Sequence, residues 1–297
     1  MNATSRARIH GWLIVTALAA VAIAHTTAAN QSAGQPGAPR AAATVTSTAQ
    51  YLANASVLVS HGDTKVVFDP LFRNDFGQYS LVPAQTERAL FEGTAPFDGL
   101  DAVFVSHYHE DHFSAVDVLR LLEVRPGLQL FAPAQAVAGM RDVSATRLAA
   151  VASRVHAITL AYQDAPVTLQ QGALVVEALR IPHSGWPTRQ QQVENIAFRV
   201  TLDAATTVVH LGDADTSDAH FAHDDAYWRR RRTNVAFPPY WFFMSDEGRQ
   251  VLERRIAPTR SIGVHVPANV PSQADLRAPE LRAHDLFTVL GEVRELR

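Results

Sequence analysis

Within six consecutive positions the chain carries four side chains with metal-binding donors, His107, His109, Asp111 and His112, in the order H-x-H-x-D-H. A neutral imidazole offers one ring lone pair and a carboxylate offers two oxygens, so this spacing can wrap donors around a divalent cation. The apolar stretch over residues 101–106 reads as a strand, which would leave the four donors in a loop at its end. A solvated, His-rich loop is the plain alternative. It leaves unexplained three further donors with similar settings: His183 in Ile-Pro-His-Ser-Gly, Asp213 in Leu-Gly-Asp-Ala and His265 in Gly-Val-His-Val. Taken singly, each of these has a bland reading, a structural histidine or a Gly-Asp turn.

The elements that must position these donors follow from the pattern of apolar residues. Short β-branched runs at 56–59 and 65–68 flank His61-Gly62-Asp63, a hairpin signal, and Asp69-Pro70 ends the second run. After a loop through Pro96 come the strand over 101–106, the His motif and a helix over 114–123 with Val116, Val118, Leu119 and Leu122 on its apolar side. Strands are expected at 128–132, 155–160, 172–179, 196–200, 206–211, 261–264 and 286–290, and helices at 134–141 and 246–256. Strands that lead each half, with helices after them, imply two sheets with helices outside.

The 297 residues contain no Cys, which excludes a disulfide framework, a thiolate ligand and a cysteine nucleophile, so any ligands are N and O donors. Residues 1–29 carry Arg6 and Arg8, no acid, an apolar run from Trp12 to Ala24 and a small-residue end, the pattern of a signal peptide. That run is short of the roughly 20 residues a membrane-crossing helix needs. The expected organisation is a signal peptide over 1–29, a flexible linker over 30–43 and one domain over 44–297, in a periplasmic or secreted protein. Membrane contact is expected only through the export signal. Removing 1–29 takes the formal charge from −3 to −5, a balance that argues against nucleic acid as a partner.

Taken in order, the H-x-H-x-D-H loop, the later His183, Gly212-Asp213 and the final His265 resemble the metallo-β-lactamase superfamily, over nearly the whole chain from about Tyr51 onward. The resemblance implies an α/β fold, a four-layer αββα sandwich of two mixed β-sheets flanked by helices. It implies a hydrolase with two divalent metal ions, His107, His109 and His183 holding one, Asp111, His112 and His265 the other, and Asp213 bridging. Ions roughly 3.5–4 Å apart can share a hydroxide as nucleophile. Asp111, as a hydrogen-bond acceptor for the attacking water, and Asp213 are then the catalytic carboxylates. Zn is the default for such a donor set, and Mn or Fe also suits it. By the same resemblance Asp69 is a hydrogen-bond partner of a ligand histidine, beside the plain reading as an Asp-Pro turn.

Within the superfamily, the hairpin from His61 to Pro70, Ile-Pro-His-Ser-Gly and Leu-Gly-Asp-Ala-Asp look most like the lactonase and phospholipase-D-like branch. That branch implies a small-molecule or lipid-derived substrate with an ester, lactone or phosphodiester bond. β-Lactamase activity is disfavoured, because two lactamase classes need a Cys ligand and the third has no bridging Asp where Asp213 stands. A glyoxalase-like thioesterase stays open on ligands alone. A redox di-iron role is disfavoured by His109, where related flavodiiron proteins have Glu, and by the lack of a flavin domain. The non-enzymatic alternative is an exported metal-binding or sensing protein with this fold and no turnover.

His61, His156, His210, His220, His223 and His284 are read as surface or structural residues, with His210 close enough in sequence to Asp213 to approach the site. The aromatic run 237–243 and Trp186 read as core, or as a pocket wall. Arg229 to Arg232 read as a solvated face, or as a patch for an anion.

Overall fold

The computed structural model describes residues 46–203, 206–222 and 225–296. The expected signal peptide and linker, and His223, lie outside the described residues. Along the chain run β1 (Ser47–Ala53), β2 (Ser56–His61), β3 (Thr64–Phe68), α1 (Ala84–Glu92), β4 (Leu100–Phe104), α2 (Ala115–Val124) and β5 (Gln129–Pro133). Next come α3 (Ala134–Val143), α4 (Ala145–Val151), β6 (Val155–Ile158), β7 (Val167–Gln171), β8 (Leu174–Arg180), β9 (Ile196–Thr201) and β10 (Thr207–His210). The last part holds α5 (Asp225–Arg230), β11 (Val235–Phe237), α6 (Trp241–Met244), α7 (Asp246–Gln250), a π-helical turn (Val251–Ile256), β12 (Arg260–Ser261) and β13 (Val293–Glu295). Among the described residues no helix is long and apolar enough to cross a membrane.

The strands form two mixed sheets, β13-β1-β2-β3-β4-β5-β6 and β12-β11-β10-β9-β8-β7. Alternation along each strand divides the apolar residues between two faces. Phe68, Phe104, Phe131, Phe198 and Phe237 point into the layer between the sheets. Val67, Val103 and Leu130 point outward against α1 to α4, and Ala197, Val209 and Ala236 point outward against α5 to α7. The result is the expected αββα sandwich, in which Phe104 stacks between Phe68 and Phe131, each with ring centroids 5.0 Å away.

The local readings hold at the hairpin β2–β3 and at α2, whose N-cap Ser114 accepts a hydrogen bond from the Asp117 amide. Other details differ. Val116 is 53 % exposed, because α2 packs through Val118, Leu119, Leu121 and Leu122 instead. The expected strand over 261–264 shrinks to Arg260–Ser261, with Gly263 and Val264 in isolated bridges to Leu286 and Pro239. The expected strand over 286–290 is a turn, since the Glu292 carboxylate accepts from the amides of Thr288 and Val289 and reverses the chain; β13 follows it.

Beneath α5, Arg199 on β9 and Glu177 facing it on β8 form a bidentate ion pair at 2.8 and 2.6 Å. The Arg199 guanidinium also donates to the Tyr227 carbonyl and lies 3.7 Å from the centroid of the Tyr227 ring. Arg199 is 1 % exposed, so removing its partner would leave a buried charge, a loss of about 3–5 kcal/mol. Glu177→Ala should therefore lower the urea midpoint sharply, and Glu177→Leu with Arg199→Met should recover most of it. An unchanged midpoint in the single variant would refute this account.

Candidate metal centre

The donors meet at one end of the sandwich, where strands from both sheets give way to loops. Asp69 directly follows β3, and β4 leads through Val105 and Ser106 to His107. The loop then closes on itself, the amides of His112 and Phe113 donating to the His109 carbonyl at 3.0 and 2.8 Å. From the second sheet, the segments after β8 and β10 pair side by side. His183 bridges Ala214, the Ser184 amide donates to the Asp213 carbonyl and the Asp215 amide to the Pro182 carbonyl, both at 2.8 Å. His265 follows β12 with φ +56°, its amide donating to the Asn54 carbonyl at the β1–β2 turn.

All seven sequence-predicted ligands come together there, in two groups. His107, His109 and His183 form one; Asp111, His112, Asp213 and His265 form the other, and within each group donor atoms lie within 4.8 Å of one another. Asp213 faces both. Its Oδ1 is 3.1 Å from His112 Nε2 and 3.3 Å from His265 Nε2, and its Oδ2 is 3.4 Å from His183 Nε2 and 4.0 Å from His107 Nε2. Despite these approaches, His112 Nε2, His183 Nε2 and Asp213 Oδ1 are buried without a hydrogen-bond partner. Buried polar atoms are almost always paired. Lone pairs that converge on a common point, rather than on each other's protons, are the arrangement a cation satisfies, and the donor set fits one.

Electrostatics divide the site. Burial, with His112 next, pushes His107 well below its ordinary pKa, and burial with His183 lowers His109, so both imidazoles are neutral. For His112 burial also opposes charge, but Asp213 and Asp111 outweigh it and raise the imidazole well above its usual range. Asp213 is the counterpart: burial works against its ionisation, and His265 and His112 overcome it and hold the carboxyl well below the usual range.

Supporting side chains fix the ring orientations. His112 Nδ1 donates to Asp69 Oδ2 at 2.9 Å, leaving Nε2 to face inward, and Asp69 also accepts from the Ser106 amide and hydroxyl, both at 2.7 Å. Asp69 thus takes the expected supporting place. His183 Nδ1 donates to the Ser184 carbonyl at 2.9 Å, with the same effect on its tautomer. Two buried asparagines that no sequence motif marks also support the centre. Asn54 donates to the Asp111 carbonyl at 2.8 Å, and Asn195 donates to the carbonyls of Ile181 and Leu211 while accepting from the Asp213 amide at 2.9 Å. Their only sequence signals are an Asn at a turn and an Asn ahead of a strand, which many structural residues share.

Around the centre, Tyr79 packs edge-on against His265 at 4.2 Å between centroids and Trp241 does so at 5.2 Å. Of the aromatic run, Phe237, Phe242 and Phe243 are core, and Trp241 is half-buried against the site. Trp186 packs on His220 and Tyr162. His210 is structural, stacked on Phe68 with Nε2 donating to the Ala55 carbonyl. His61 joins Ser47 and Asp203, His156 pairs with Gln129 and His284 stacks on Phe243. Arg229, Arg230 and Arg232 are exposed, while Arg231 turns toward Glu177 at 3.5 Å.

Gly212 sets the direction of Asp213. Its φ is +55°, and a Cβ there would come within 2.4 Å of Asn195 Oδ1 and 2.6 Å of the Ser106 Cβ. Gly212→Ala should therefore destabilise the fold by at least about 1 kcal/mol, read as a lower thermal midpoint. A midpoint equal to that of the unmutated protein would show that neither the backbone conformation nor the close approach matters.

A family model described as the beta-lactamase superfamily domain matches residues 64–266. Similar solved structures include a possible metal-dependent hydrolase from Veillonella parvula, 16 % identical with a TM-score of 0.57, covering 86 % of this chain and 100 % of that one. Igni18, a metallo hydrolase from the archaeon Ignicoccus hospitalis, is 16 % identical with a TM-score of 0.55, covering 85 % and 99 %. An isothiocyanate hydrolase from Delia radicum gut bacteria is 11 % identical with a TM-score of 0.53, covering 83 % and 98 %. At these identities the likeness is one of fold. No curated protein matches the sequence.

Proposed function

The chain belongs to the beta-lactamase superfamily of metallohydrolases, and we propose that it cleaves an ester, lactone or phosphodiester bond with two divalent ions that share Asp213. The observation that carries this reading is the position of the Asp213 carboxylate, one oxygen turned to His112 and His265 and the other to His183 and His107. On this reading His107, His109 and His183 hold one ion, and Asp111, His112 and His265 hold the other. The all-N/O donor set suits Zn first, with Mn or Fe also compatible. A pair of divalent ions supplies Lewis-acid polarisation of the scissile bond and a water acidified toward neutral pH.

The protein's own groups do the rest. Asp69 holds His112 in one tautomer, the Ser106 hydroxyl pairs with His107 Nδ1, and the Ser184 carbonyl fixes the tautomer of His183. Asp111, whose Oδ2 lies 3.2 Å from His265 Nε2, is the carboxylate read as accepting a hydrogen bond from the attacking water. The substrate is read as a small-molecule or lipid-derived ester, lactone or phosphodiester, as in the lactonase and phospholipase-D-like branch. Residues 1–29 are read as an export signal that delivers the protein to the periplasm or outside.

The purified protein should carry about two divalent ions per chain, with fewer in His109→Ala and Asp213→Asn, and should hydrolyse at least one member of a panel of lactone, ester, phosphodiester, thioester and β-lactam substrates in a metal-dependent way. No bound metal in the unmutated protein would refute the reading, and two ions without turnover would favour a metal-binding or sensing role. Asp69→Ala should weaken metal affinity about 10–100-fold in a chelator competition while the fold is retained. Unchanged affinity would remove Asp69 from the supporting role.

A further inference from the structure

The segment between β3 and α1 looks like a plain connection, yet it is fastened to two metal-bearing loops at once. The amides of Arg73 and Asn74 both donate to the Glu110 carbonyl at 3.1 Å, and the Asn74 side chain reaches the Glu110 carboxylate at 3.0 Å. Three residues past His265, the Ala268 amide donates to the Gln78 carbonyl at 2.8 Å. Between these fastenings the chain makes its own turn: the Asn74 and Asp75 carboxamide and carboxylate oxygens accept from the amides of Phe76 and Gly77, and the Tyr79 amide donates to the Asp75 carbonyl.

What this braced turn presents is Tyr79. Its ring lies edge-on to His265, and its hydroxyl has no hydrogen-bond partner among the described residues. The charged and titratable groups near its hydroxyl are Asp213, Tyr240 and Asp111. A phenol hydroxyl near two carboxylates, held by a segment fastened on both sides and offering its proton to no protein acceptor, is a donor available to something that enters the site.

We propose that the Tyr79 hydroxyl donates a hydrogen bond to the oxygen on which negative charge develops as the substrate is cleaved, and so is a catalytic residue of the reaction proposed above. The inference rests on that reading for the reaction. The substrate it serves is one whose carbonyl or phosphoryl oxygen becomes anionic beside His265, and donors placed where such charge develops contribute more in the transition state than in the ground state.

The test compares unmutated protein with Tyr79→Phe, which keeps the ring packed on His265, and Tyr79→Ala, which removes it. With equal metal content and thermal midpoint, Tyr79→Phe should lower kcat about 100-fold on a panel substrate with KM nearly unchanged. It should also weaken the binding of inorganic phosphate to the metal-loaded protein about 10-fold by calorimetry. A Tyr79→Phe variant that matches the unmutated protein in kcat or in phosphate affinity overturns the proposal, and loss in Tyr79→Ala alone assigns the residue to packing. Failure of the underlying reading looks different, as an unmutated protein that turns over no panel member.

Discussion

Five imidazoles and two carboxylates, most of them buried, crowd one end of this sandwich with several donor atoms facing one another and unpaired. Crowding of this kind is unfavourable in a protein interior unless something satisfies the lone pairs or the protons are divided among them. Here the environments are uneven, with burial holding His107 and His109 below the ordinary imidazole range and the nearby carboxylates drawing His112 and His265 above it. Much of the surrounding architecture serves to stop these groups from turning away: Asp69 behind His112, Asn54 behind Asp111 and Asn195 behind Asp213.

The fold meets that demand by delivering rigid strand ends rather than free loops. β8 and β10 leave the second sheet as neighbours of β9, so the residues that follow them can pair through the His183–Ala214 bridge. Close approach of backbone to side chain at Gly212 then turns Asp213 inward. From the first sheet, Ser106 contributes twice. Its side chain joins Asp69 to His107, and its carbonyl accepts from the Ile196 amide at 2.9 Å, a direct tie between the sheets beside the site.

What was legible in the sequence was whatever depends on neighbours along the chain. The H-x-H-x-D-H loop is local, and the donors His183, Asp213 and His265 each follow an apolar run, so the whole donor set and the two-sheet plan were within reach. Asn54 and Asn195 were not, because their role exists only once segments far apart in sequence are brought together. The same holds for Tyr79, which sits in a polar stretch with no periodicity. α1 leaves no helical signal in the sequence because Leu90 is its one buried residue and gives no apolar stripe. At 286–290 the apolar pattern misled, since a side-chain carboxylate from Glu292 captured the amides that a strand would have used.

The Ser106–Ile196 tie also marks where the two halves of the molecule must stay in register. Both ligand groups draw on both sheets: His107 and His109 from one with His183 from the other, and Asp111 and His112 from one with Asp213 and His265 from the other. On the proposed assignment each ion is therefore a rivet through the sandwich, and its binding free energy is also cohesion between the two layers. The phenylalanine stack between the sheets and the metal pair at their rim become two parts of one fastening, so that resistance to splaying of the layers and occupancy of the centre are a single thermodynamic property of this protein.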